Sequence, residues 1–200
     1  MNATEHLPAT YQQLEILDLT QERPLLIRLN VVGLLLMALF CPLLTIASAS
    51  LRGTMGTLFA FTFSNLLLWL VSIPCGFIGV IIVHELIHGL FFLLFTKKRP
   101  DFGFKVIYAY AAAPTWYIPR NQFIVIGAAP LLFITLFGLI LMPSIPQLFL
   151  PALLFALVFN LAGSIGDLYI IWWLLRLPVT CLVNDIGDIF TIYAATQEST

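Results

Sequence analysis

Between Asn65 and Thr96 the sequence reads NLLLWLVSIPCGFIGVIIVHELIHGLFFLLFT, and apart from two histidines Glu85 is its only acidic or basic residue. A run this long and apolar has few folded solutions, because roughly 20 such residues in a helix already cross a bilayer. Three further stretches qualify, which places four spans at about 25–49, 65–96, 121–142 and 148–176. The second and fourth exceed the minimum and are expected to tilt, kink or protrude, with Pro74 as the kink in the second. A mean hydropathy of +1.01 with 60% hydrophobic and 10% charged residues excludes an ordinary soluble domain. The expected fold is therefore an all-α integral membrane protein. A polar segment over 1–23 precedes a membrane-embedded domain over 24–177, and a tail follows over 178–200.

Charge placement orients these spans. Arg23 and Arg28 lie at the start of the first, Lys97, Lys98, Arg99, Lys105 and Arg120 fall between the second and third, and Arg176 closes the fourth. Only Arg52 lies on the opposite side, so the positive-inside rule puts both termini and the 97–120 loop in the cytoplasm. The first residues carry Glu5, Glu15, Asp18 and Glu22, unlike a cleavable signal peptide, so the first span is expected to remain as a membrane anchor. A net charge of −1 without a basic stripe gives no reason to expect nucleic acid as a partner. Cys41, Cys75 and Cys181 form no C-x-x-C pair and read as small apolar residues.

An ionisable group at membrane depth costs about 2.5–3.5 kcal/mol on insertion scales, which is why the pentapeptide His84-Glu85-Leu86-Ile87-His88 stands out. Residues four apart share one face of a helix, so the two imidazoles converge and can share a metal ion, zinc above all. Glu85 is then placed as general base on a zinc-bound water. Catalytic zinc commonly takes three protein ligands. Outside the histidine motif the spans hold one acid, Asp167. The second and fourth spans run in the same direction. His88 precedes Lys97, and Asp167 precedes Arg176, by equal intervals, so both lie about 14 Å from the same boundary at 1.5 Å per residue. Asp185 and Asp188, in a DIGDIF tail that echoes SIGDLY around Asp167, are the competing ligands if the tail folds back.

HELIHG within a span, a loop with FGF and a YAY tract, an AAP-containing span and a late Asn…Gly-Asp motif together resemble the DUF3267 family of zincin peptidases over roughly residues 60–190. These are small bacterial membrane proteins related in plan to the site-2 protease group of intramembrane metalloproteases. The resemblance implies His84 and His88 as zinc ligands, Glu85 as base and Asp167 as the ligand from a later helix. Site-2 proteases usually show Asn-x-x-Pro leading to Asp-Gly. This chain has Asn160-Leu-Ala-Gly163 and the reversed pair Gly166-Asp167.

Asn160, nearly two turns before Asp167, is expected either to donate to a developing oxyanion or to hydrogen-bond between helices. Gly163 and Gly166 either loosen the fourth span or allow close helix packing. The alternation from Phe102 to Tyr108 followed by Ala111–Pro114 predicts a short hairpin. Its edge could pair with an unwound substrate, or it could simply plug the interface with Tyr108, Tyr110, Trp116 and Tyr117. Leu51–Ser64 reads as interfacial helix or as an extension of the second span. The expectation is a zinc metallopeptidase acting on a membrane-associated protein or peptide. The alternative is a metal-binding transporter or regulatory scaffold that cleaves nothing. A transporter would be expected to show more intramembrane polar groups and often an internal repeat, and neither is evident in this sequence.

Overall fold

A computed structural model describes residues 2–54, 63–105 and 108–196. Most of the segment expected as interfacial helix, residues 55–62, and two positions of the expected hairpin, Val106 and Ile107, lie outside the described residues. The elements run β1 (Tyr11–Asp18), α1 (Arg23–Arg52), α2 (Phe63–Thr96), β2 (Asp101–Lys105), β3 (Tyr108–Ala112), β4 (Ile118–Pro119), α3 (Arg120–Leu141), α4 (Leu150–Gly163), α5 (Ile165–Leu175), β5 (Leu182–Asp185) and β6 (Ile189–Ala195). Among the described residues, four helical stretches are long and apolar enough to cross a membrane: Arg23–Arg52, Leu66–Thr96, Arg120–Leu141 and Leu150–Leu175.

One expectation needs correction. The fold is mostly helical rather than all-α, because a four-stranded sheet of order β1-β6-β5-β4 accompanies the β2-β3 hairpin. The last apolar stretch, one of the two expected to tilt, kink or protrude, is interrupted between α4 and α5. Ser164 leaves the helical path with ψ at 0°, while its N–H and its hydroxyl both donate to the Asn160 carbonyl. A serine bonding back onto the preceding turn competes with the helical ladder in this way. At Gly163 and Gly166 an added Cβ would meet nothing within 4 Å among the described residues, so the close packing expected of them is not seen.

The chain divides into two compact units. One comprises Leu29–His84 and Pro130–Ile165. In it α4 buries Leu150, Ala152, Leu154, Leu157, Val158 and Asn160. Small residues let its neighbours approach: a Cβ on Gly33 of α1 would stand 3.1 Å from the Ala162 carbonyl, and one on Gly76 of α2 would stand 3.3 Å from that of Ala152. Phe77 and Phe159 meet edge to face at 4.4 Å. Arg52, at the end of α1, donates to the carbonyls of Met142 and Ile145 in the turn just beyond α3.

The other unit comprises Met1–Arg28, Glu85–Ala129 and Gly166–Thr200. It gathers the beginnings of α1 and α3 with the ends of α2 and α5, as four alternating helices require. Its core includes Phe92, Ile118, Phe123, Ile126, Leu174 and Val183. β6 supplies Phe190 and Ile192 to that core from alternate positions, the period of a half-buried strand. β1 pairs antiparallel with β6 from Tyr11↔Ala195 to Asp18↔Ile189, with a bulge between Gln13 and Glu15. Trp173 of α5 donates to the Glu15 carboxylate. Arg120 donates to the Leu177 carbonyl just beyond α5.

Candidate metal centre

α2 carries His84 and His88 one turn apart on a continuous helix. His88 is buried, with Nδ1 at 2.9 Å from the backbone oxygen of Ile126 on α3. That oxygen can only accept, so Nδ1 carries a ring proton and Nε2 is the nitrogen turned toward Asp167. Nε2 lies 3.6 Å from a carboxylate oxygen of Asp167, in the first turn of α5. His84 is half-buried, and its Nδ1 is 3.0 Å from Oδ1 of Asn160 on α4. An amide oxygen also only accepts, so His84 likewise presents Nε2. His84, His88 and Asp167 each offer one ligand atom, and these atoms all lie within 4.8 Å of one another.

Two imidazole nitrogens and one carboxylate are a donor set suited to zinc and related divalent ions. The ring nitrogens facing away from this group are both occupied by acceptors, the usual support for metal-binding histidines. Asn160 makes the hydrogen bond between helices that was one of its two expected roles.

A cavity of about 270 Å³ opens beside His88, and Glu85, Asp167, Asp185, Asp188 and Phe123 are among the residues lining it. Asp185 and Asp188 arrive there because the tail does fold back, as β5, a tight turn and β6. Gly187 makes that turn with φ +101°, where a side chain would be strained and would press on the Tyr110 ring at 3.0 Å. The Asp185 carboxylate accepts from the Gly187 N–H at 2.7 Å. It does not belong to the group of three ligand atoms.

Burial pushes the Asp185 carboxyl up to about 7, and the Gly187 N–H only partly offsets that. The folded chain then holds a proton that the unfolded chain releases above about pH 4, so stability falls as pH rises from about 4 to about 7 and levels off above. Asp185→Asn keeps the acceptor and removes the ionisation. In chelator-treated protein it is expected to stabilise by up to roughly 4 kcal/mol at pH 8 and by little at pH 4. Thermal midpoints of both proteins across that range check this, and an equal shift at both pH values would contradict it.

No curated protein and no solved structure matches the chain. Residues 77–182 match the family DUF3267, described as "Putative zincin peptidase". The matched stretch runs from the middle of α2 to the start of β5 and takes in His84, Glu85, His88, Asn160 and Asp167, and the chain belongs to that family.

Proposed function

We propose that this chain is a membrane-embedded zinc metallopeptidase that hydrolyses a peptide bond of a membrane-associated protein, on the plan of the site-2 proteases. The observation that carries the reading is the matched orientation of the two histidines. Each commits Nδ1 to an acceptor, and one ligand atom of each lies within 4.8 Å of the other's and of an Asp167 oxygen. The family membership supports the same chemistry. The apolar surface supports the membrane setting: Leu34, Leu70 and Ile140 are more than 60% exposed on helices long enough to span. Burying such surface in lipid removes a patch that water would not tolerate. Both termini and the 97–120 loop lie on the cytoplasmic side in this reading.

His84, His88 and Asp167 would hold the ion, which when bound would supply Lewis acidity toward water and the scissile carbonyl. Glu85, on the cavity wall, removes a proton from the attacking water. As the C–N bond breaks, it returns that proton to the departing amine nitrogen. Phe92, Phe123 and Ile170 line the same cavity and keep its dielectric low, which strengthens each charge interaction inside it.

The test is the purified protein in lipid vesicles with a single-span reporter peptide. Fragments are expected with zinc, none with a chelator, and fragments again after zinc is restored. A protein that holds zinc, releases no fragments and carries zinc across the vesicle wall would be a transporter instead.

A further inference from the structure

The two acceptors that orient the histidines have different origins, one a side chain and one the backbone. Asn160 is 2% exposed on an apolar helix. Its Oδ1 faces His84, while its Nδ2 is buried with no partner among the described residues. A buried donor left in that condition costs about 1–3 kcal/mol, so the amide is not there for stability. On α3 the corresponding group is backbone. In a helix the Ile126 carbonyl would accept from the N–H four residues later, but that residue is Pro130, which has none. The oxygen is released from the ladder and takes the His88 Nδ1 proton at 2.9 Å. Pro130 is itself fully buried, so it also holds this turn by packing.

We propose that Asn160 and Pro130 are the positioning residues of the metal site: Asn160 sets the tautomer and ring orientation of His84, and Pro130 does so for His88 by freeing the Ile126 carbonyl. This rests on the metallopeptidase reading but makes a separate claim, because neither residue touches the ion or the substrate. Without Asn160, the His84 proton can move to Nε2 and close that lone pair. With an N–H restored at position 130, the helix reclaims the Ile126 oxygen and His88 loses its fixed acceptor.

The experiment measures zinc affinity against a competing chelator in wild-type, Asn160→Leu, Asn160→Asp and Pro130→Ala proteins. The visible absorption of the cobalt-loaded forms is recorded alongside. Asn160→Leu and Pro130→Ala are each expected to weaken zinc binding by about 10–100-fold, the usual cost of losing a group that orients a metal ligand. Asn160→Asp retains an acceptor at the same place and is expected to recover affinity to within a few-fold of wild type, with unshifted cobalt bands. If the leucine variant does not accumulate, Asn160→Gln replaces it, since one extra methylene misplaces the oxygen. Wild-type affinity in both Asn160→Leu (or Asn160→Gln) and Pro130→Ala would overturn the assignment. So would an aspartate variant that binds no better than the leucine or glutamine one. Wild-type protein that binds no zinc in the same assay would remove the metallopeptidase reading itself, a distinct result.

Discussion

Glu85→Gln is expected to lower hydrolysis by about 10²–10⁴-fold while zinc affinity stays within a few-fold of wild type. Glutamine keeps the size and the hydrogen-bonding reach of glutamate, so α2 and its two histidines have no reason to move. It cannot accept a proton from water at neutral pH, which is the one task that separates Glu85 from the ligands on either side of it. Glu85 lines the cavity beside His88 and Asp167 and is not one of the three grouped ligand atoms. Measuring zinc content and reporter cleavage on the same preparation separates base from ligand. Loss of both would make Glu85 a ligand or a structural group. Unchanged cleavage with zinc retained would remove it from the chemistry altogether.

How much of this was legible from residues alone depended on how local the signal was. The four apolar stretches were readable because length and composition decide them without a partner. The break at Ser164 was less so: Gly163-Ser164-Ile165-Gly166 admits both a helix and a bend, and the serine hydroxyl bonding back to Asn160 tips the balance. The sheet was missed because its first strand comes from the acidic N-terminal segment and pairs with β6 at the other end of the chain. The alternation in Ile189–Ala195 was a strand signal, but nothing local names its partner. At the site, equal distances to the flanking basic residues put His88 and Asp167 at one depth, and the structure brings them to 3.6 Å. The Ile126 carbonyl was invisible as a site group, although the proline four residues on was its only available marker.

Asp167→Ala is expected to weaken zinc binding by more than the roughly 100-fold that an orienting partner contributes, because it removes a ligand rather than a support. Two histidines alone leave a divalent ion with half of a tetrahedral set. The carboxylate is also the only negative charge among the three grouped ligand atoms. Asp185→Asn is the necessary companion, since Asp185 lines the same cavity and belongs to the turn that echoes the sequence around Asp167. Asp185 is tied to the Gly187 N–H at 2.7 Å, and the asparagine keeps that bond, so zinc affinity in that variant is expected to match wild type. Equilibrium competition with a chelator on the two variants decides between them. Retained zinc in Asp167→Ala together with lost zinc in Asp185→Asn would move the third ligand from α5 to the β5–β6 turn. Loss in Asp167→Ala alone leaves the histidines of α2 and the first turn of α5 as the place where the ion is held.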